Sequence, residues 1–380
     1  MISYLSLVVS AGLIIYLLMR GFRLLTVLTV LFIGIGAGAQ NMVYTDASEF
    51  PLYGQISDQV NSRYERLPSY LEGVSREAVW KRGRCSSGLY VRFRSDATSV
   101  GVRWTSTFDA DQNHMTDTGT RGLDLYALVD GQWRAVAPAR PSAKGPYECV
   151  IIRNMVPEER EFMLYLSLYD GVQSLEIGVN EGAIIGQPEV PCPSVEKPVV
   201  MYGTSILQGG CASRPGMAYT NILGRRLGRT VYNLGFSGNA RLDLEIAQLM
   251  ASVEDPGAFM LDCVPNSTEQ MIQERGEKFF RILRDAHPDV PVIFVEDPVF
   301  PRAAFDTLLS EEVAGRNRKW SELFRKLKKS GEKNIYYVSS KNMLGDDGEA
   351  TVDGSHFTDA GNLRYVDNIM PVLKKALKNR

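Results

Sequence analysis

The sequence predicts an α/β protein in which a doubly wound, five-stranded parallel sheet follows an antiparallel β-sandwich. In the second half, five short apolar runs alternate with five segments of helix length, the pattern of a parallel sheet covered on both faces. From residue 44 to about 190 the hydrophobic period is two instead, with turn residues between the runs, as half-buried antiparallel strands require. Between the two regimes, Gly186-Gln-Pro188-Glu-Val-Pro191-Cys-Pro193 sets three prolines within six residues, a stiff connector.

The expected organisation is therefore residues 1–39 as an export signal, 40–190 as a sandwich domain and 191–380 as the α/β domain. Residues 2–19 are apolar and nearly uncharged, Arg20-Gly-Phe-Arg23 interrupts, and a second apolar run over 24–35 ends in Gly36-Ala37-Gly38-Ala39-Gln40. Counted from Met19 this is a basic region, an apolar region and a small-x-small cleavage site, the layout of a secretory signal. The expectation is a true start at Met19, cleavage after Ala39, and a periplasmic or secreted bacterial protein that keeps no stable hold on the membrane. The competing reading is a two-span membrane anchor. No cysteine follows the apolar run, which argues against a lipoprotein anchor.

In the sandwich region, strands are expected at 89–94, 100–105, 123–129, 148–152, 161–166 and 175–179. Asp130-Gly131, Lys144-Gly145-Pro146 and Asp170-Gly171 mark turns among them. In the α/β region, strands are expected at 199–202, 231–234, 258–263, 292–295 and 335–338. Helices are expected at 218–227, 244–252, 268–286, 310–329 and 359–377.

Composition excludes some classes of function. The net charge is −2 over 380 residues and the isoelectric point is near 6.1, with no basic footprint for nucleic acid. The clusters at Arg225-Arg226 and Arg325-Lys326-Leu-Lys328-Lys329 fall in helical segments and read as solvated faces. The five cysteines, Cys85, Cys149, Cys192, Cys211 and Cys263, show no metal-binding spacing and define no disulfide set. Neither a metal nor an organic cofactor is expected.

The chemistry should lie at the carboxyl edge of the parallel sheet, where loops splay into a crevice. The first predicted strand runs into Gly203-Thr204-Ser205, which presents a serine hydroxyl at that edge, a candidate nucleophile if a base is near. Gly235-Phe-Ser-Gly238-Asn follows the second strand, and a glycine there lets a backbone N–H approach a ligand. Asn266 follows the third strand, with a side-chain amide able to donate. Asp353-Gly-Ser-His356 precedes the last helix, and its spacing lets the carboxylate reach and orient the imidazole. Taken singly, each has a bland reading: a helix cap, a turn glycine, a second cap, a surface turn. Together they fall on one edge.

This order of Ser, Gly, Asn and Asp-x-x-His, with Asp353-Gly-Ser-His-Phe-Thr-Asp-Ala-Gly-Asn362 its most specific piece, resembles the SGNH (GDSL-type) esterase and lipase superfamily from about Lys197 onward. Arg121-Gly-Leu-Asp-Leu-Tyr126 resembles the GxDLY sandwich domain that precedes one branch of these enzymes. The resemblance implies a flavodoxin-like hydrolase fold, Ser205 as nucleophile, His356 as base and Asp353 as its orienter. It implies an oxyanion hole from the N–H groups of Ser205 and Gly238 and the amide of Asn266. Thr204 stands where the family name has aspartate, and Cys263-Val-Pro-Asn266 replaces the usual GxND.

Of the three histidines, His287 at a helix end reads as structural. His114 lies in an acidic stretch from Asp109, but positions six and twelve of a calcium loop would be His114 and Thr120, where glycine and glutamate are required. A polar loop leaning from the sandwich over the catalytic edge is the expectation. The substrate expected from the resemblance and from export is an acetylated carbohydrate, with Asn239 and Arg241 placed to hold its hydroxyls. The alternatives are a lipid or lysophospholipid ester, and a glycan-binding protein with a vestigial hydrolase domain.

Overall fold

The computed structural model describes residues 41–142 and 144–378. The expected export segment, with its start at Met19 and cleavage after Ala39, lies outside the described residues. No helix among the described residues is long and apolar enough to cross a membrane.

Among the described residues, ten strands build the first part: β1 (Met42–Asp46), β2 (Leu52–Tyr53), β3 (Tyr90–Ser95), β4 (Val100–Ser106), β5 (Leu123–Val129), β6 (Gln132–Ala139), β7 (Tyr147–Ile152), β8 (Arg160–Tyr165), β9 (Val172–Asn180) and β10 (Ile185–Gly186). They form two antiparallel sheets, one ordered β1-β9-β4-β7 and the other β10-β3-β8-β5-β6 with β2 also on β3. Between the sheets lies one apolar core that includes Phe93, Val102, Trp104, Leu125, Phe162 and Ile177. The alternating residues of β3, β4, β5, β8 and β9 supply it, so the period of two translates directly into an inward face. Four of the ten strands carry no such signal. β1 and β2 are short, β10 has two residues, and β6 is an edge strand with Pro138 and exposed positions, which an edge tolerates.

The second part holds β11 (Val195–Gly203), β12 (Arg229–Gly235), β13 (Ala258–Asp262), β14 (Val292–Val295) and β15 (Ile335–Val338). They pair in parallel in the order β12-β11-β13-β14-β15. Eight helices among the described residues accompany the strands: α1 (Glu77–Gly83), α2 (Asp117–Thr120), α3 (Ser205–Gln208), α4 (Tyr219–Leu227), α5 (Leu244–Ala251), α6 (Glu269–Ala286), α7 (Thr307–Lys329) and α8 (Asp359–Leu377). Along β11 the side chains divide by parity. Val200 and Tyr202 enter a core with residues of α5, α6 and α7, whereas Val199 and Met201 enter one with α4 and α8. Both faces of the strand are therefore buried, as its unbroken apolar run requires.

α1 was not foreseen. It buries Val79 and Trp80, with Leu67 and Leu71 before it, in the core beneath α5 and α6. The stretch from Leu67 to Trp80 thus packs on the parallel sheet, although it precedes most of the sandwich in the chain. Its helix has no side-chain cap and only seven residues, too short to persist without tertiary packing.

Candidate active site

Each sheet strand delivers its chemistry through a constrained exit. At Gly203 an added Cβ would sit 2.5 Å from the carbonyl oxygen of Asp262 and 2.7 Å from Leu207 Cδ1, so the end of β11 admits no side chain. The Thr204 hydroxyl accepts from the N–H of Ile206, and Ser205 opens α3. Two residues past α3, Gly210 presses on the catalytic edge: its Cβ would lie 2.8 Å from His356 Cδ2 and 2.9 Å from the Tyr169 hydroxyl.

Ser205, His356 and Asp353 come together. The Ser205 hydroxyl is 2.8 Å from His356 Nε2, and His356 Nδ1 is 2.7 Å from Asp353 Oδ2. The other carboxylate oxygen of Asp353 accepts the N–H groups of Ser355 at 3.0 Å and His356 at 2.8 Å. Partial burial alone would raise the Asp353 pKa, but these N–H groups and the imidazole outweigh it and bring it down to about 2. Asp353 is therefore charged at any ordinary pH, and it fixes the imidazole with Nδ1 as donor and Nε2 facing the serine.

The expected oxyanion donors share a cavity with that hydroxyl. Ser205, Gly238, Asn266 and His356 all line one cavity of about 430 Å³. Gly238 has φ of 71°, and its N–H meets no acceptor among the described residues. The Asn266 Oδ1 accepts the N–H of Ala240 at 3.4 Å. A backbone N–H can only donate, so the oxygen faces Ala240 and the NH₂ group is left for the cavity. Asn266 closes a single 3₁₀ turn after β13, and this turn brings it to the site without the glycine of the family pattern.

The loop carrying Gly238 is tied down from outside the sheet. Arg76 donates to the Asn239 carbonyl at 2.7 Å and to its Oδ1 at 3.1 Å. It also forms an ion pair with Asp243 at 2.7 Å, and Gln208 Oε1 accepts the N–H of Ser237 at 3.0 Å. Asn239 is thus engaged by Arg76, and it lines a second cavity rather than that of Ser205. Arg241 is exposed and donates to the Gly238 carbonyl at 3.3 Å. Phe236 is fully buried in the core.

Several residues at the site escaped the sequence reading. Phe300, Leu309, Glu312 and Arg316 line the Ser205 cavity, from the segment before α7 and from α7 itself. Arg316 is held by Asp297, whose Oδ2 accepts from its Nε at 2.9 Å and Nη2 at 2.7 Å. Asp297 stands two residues past β14 and is fully buried; a carboxylate at the carboxyl end of a central strand is the one signal that could have marked this wall. From the sandwich, the Tyr169 hydroxyl donates to the Ser205 carbonyl at 3.2 Å. The His114 ring lies 5.3 Å from that of His356, centroid to centroid. The second cavity, of about 440 Å³, has Lys81, Arg82, Phe108, Asp111, Gln112, Tyr169 and Asn239 among its lining residues.

A serine, imidazole and carboxylate in hydrogen-bonded sequence, at the edge of a parallel sheet of this strand order, point to a class, the ester hydrolases. The chain belongs to the GDSL-like lipase/acylhydrolase family, whose model matches residues 196–374. Residues 42–185 match the model of the N-terminus of Esterase_SGNH_hydro-type proteins, called GxDLY. A crystal structure of a GDSL-like lipase-family protein from Bacteroides ovatus is 35% identical, with a TM-score of 0.85 over 89% of this chain and 98% of that one. A salicylyl-acyltransferase, SsfX3, from a tetracycline biosynthetic pathway is 16% identical with a TM-score of 0.70, covering 89% of this chain and 98% of its own. A family two carbohydrate esterase from Clostridium thermocellum, solved with cellohexaose, is 14% identical with a TM-score of 0.56 over 89% of this chain and 99% of its own. These last two share the fold. No curated protein matches the chain.

Proposed function

We propose that the protein is an exported serine esterase that removes short acyl groups, acetyl foremost, from carbohydrate hydroxyls. In this reading residues 40–190 are an accessory sandwich and 191–380 the hydrolase domain. The observation that carries the chemistry is the unbroken line from Ser205 Oγ through His356 to Asp353 at the wall of an open cavity.

Ser205 Oγ attacks the ester carbonyl carbon while His356 Nε2 takes its proton, and the carbonyl electron pair moves onto oxygen. The N–H groups of Ser205 and Gly238 and the amide of Asn266 hold that oxyanion, often the largest electrostatic contribution in acyl transfer. Collapse breaks the bond to the alcohol, which leaves with the proton from His356, and the acyl group stays on Ser205. Water then attacks by the same route and releases the carboxylic acid. The ionised Asp353 stabilises the imidazolium at each stage.

The carbohydrate part of the reading is supported by the second cavity, which borders the site through Tyr169 and Asn239 and offers Lys81, Arg82, Asp111 and Gln112 to a hydroxylated alcohol. Arg241, exposed and donating to the Gly238 carbonyl, is the further candidate to hold a hydroxyl of that group. A lipid-type ester is the second reading. It is favoured by Phe300 and Leu309 in the Ser205 cavity, and by the exposed Phe305 and Leu308 that lie between them in the chain.

The test is hydrolysis of acetylated oligosaccharides together with kcat/KM for acetyl, butyryl and octanoyl aryl esters. We expect acetate release from the oligosaccharides and a decline with chain length. A rise toward octanoyl, where each buried CH₂ gains about 0.8 kcal/mol, would instead select the lipid ester.

Export is supported by the pattern from Met19 to Gln40. Expressed from Met19 in a bacterial host, the chain should begin at Gln40 by N-terminal mass analysis. An intact apolar segment in the membrane fraction would select the anchor.

A further inference from the structure

Against the Ser205–His356–Asp353 line lie two donors that hydrolysis does not use. His114 is on the loop between β4 and α2, half-buried, with its ring beside that of His356. Cys211 is buried and has φ of 63°, left-handed backbone that few non-glycine residues adopt. Its thiol donates to the His114 carbonyl at 3.2 Å.

The two segments are locked together. The Thr116 hydroxyl donates to the Ser213 carbonyl at 2.8 Å, and Asp359 accepts the N–H of Ser213 at 3.0 Å. At Gly119 a Cβ would meet the Ala212 carbonyl oxygen at 2.3 Å. One donor atom from each of His114, Cys211, Asp353 and His356 falls within 4.8 Å of all the others.

We propose that these four residues form a binding site for a thiophilic divalent cation of the zinc type, and that the bound ion switches the esterase off. Zinc takes imidazole nitrogen and carboxylate oxygen at about 2.0–2.2 Å and thiolate sulfur at about 2.3 Å in a tetrahedron. That geometry sets its donors roughly 3.5 Å apart, so shifts of about an ångström by flexible side chains close the set on an ion. A thiolate with two imidazoles favours zinc over calcium or magnesium, which take oxygen donors. On binding, the Cys211 S–H bond breaks, its proton passes to solvent, and the sulfur–metal bond forms in place of a metal–water bond.

The ion also takes one ring nitrogen of His356. At Nε2 it displaces the Ser205 hydroxyl; at Nδ1 it displaces Asp353. Either way the imidazole can no longer accept the serine proton. This inhibition rests on the reading of His356 as the base, whereas the binding rests on the donors alone.

The experiment titrates the purified, chelator-treated chain with Co²⁺ as a spectroscopic reporter and with Zn²⁺ as an inhibitor. Wild type and Ser205→Ala should both show a thiolate-to-cobalt charge-transfer band with tetrahedral d–d bands, and Cys211→Ser should lose the charge-transfer band. Zn²⁺ should inhibit ester hydrolysis reversibly on adding chelator. In Cys211→Ser and His114→Ala the inhibition constant should rise by about tenfold or more, the scale on which even an outer partner of a metal site acts, with chelator-treated activity retained. Absence of a thiolate band from wild type, or one Zn²⁺ inhibition constant shared by all three active proteins, would overturn the proposal. A wild type that hydrolyses no ester would defeat the esterase reading, and the cobalt band would then decide the metal site by itself.

Discussion

At Asn266 the N–H of Ala240 determines which end of the amide faces the cavity, and the consequence is measurable. Asn266→Ala should leave the Ser205–His356–Asp353 line intact yet lower kcat by about 10²–10³, the scale of one lost oxyanion donor, with KM little changed. Near-wild-type turnover would remove Asn266 from the oxyanion hole. Ser205→Ala and His356→Ala should each abolish most turnover, and the double variant should be barely slower than either, because groups that act as one unit are not additive. Additive losses would show that the two residues act separately. The placement of these residues was readable from sequence because each follows a strand or precedes a capped helix, and a parallel sheet collects such loops at one edge. Tyr169 and Arg316 were not readable: one comes from the loop between β8 and β9, the other from a helix face, and only tertiary packing joins them to the Ser205 site. The His114 loop is expected to lean over the catalytic edge, and its ring lies beside that of His356.

Among the elements, the stretch leading into α1 shows how a short helix with weak local signals can reach the loop that carries Gly238. Arg76 at its start grips the carbonyl and side chain of Asn239 and pairs with the buried Asp243, while Val79 and Trp80 anchor the helix in the core beneath the sheet. Loss of Arg76 should release the loop that carries Gly238. Small misplacements of reacting groups are costly, so Arg76→Ala should lower kcat by roughly 10- to 100-fold with a smaller change in KM. Arg76→Lys should recover only part of it, since one ammonium cannot hold the carbonyl and the carboxylate together. Equal losses in stability and activity would mark a purely structural role, and thermal unfolding distinguishes the two. The legible elements were those with strong periodicity: the five parallel strands, their long amphipathic helices, and the sandwich strands with one wet face. β6 was missed because Pro138 and its exposed positions blur the alternation.

For the molecule as a whole, two buried carboxyl groups beside the candidate site tie stability to pH. Burial raises Asp262 to a pKa of about 6, against the hydroxyl donors Tyr219 and Tyr365. Burial likewise raises Asp297 to about 7, against the opposing charge of Arg316. In the unfolded chain both titrate near 3.8. The folded protein therefore holds more protons than the unfolded one between these values. The stability these groups contribute is complete below pH 4 and is lost as pH rises through 6 and 7. A tenfold change in proton affinity corresponds to about 1.4 kcal/mol, so the Asp262 carboxyl alone should contribute a decline on the order of 3 kcal/mol. Asp353 runs the other way: its lowered pKa favours the folded state above pH 4 and weakens it only in stronger acid. Urea unfolding from pH 4 to 8 should therefore show stability falling with pH, and Asp262→Asn, which keeps the two tyrosine hydroxyls hydrogen-bonded without a charge, should flatten that slope. A slope unchanged in Asp262→Asn would mean that Asp262 ionises in the fold as readily as outside it. The same substitution separates stability from chemistry, because it leaves the Ser205–His356–Asp353 line in place.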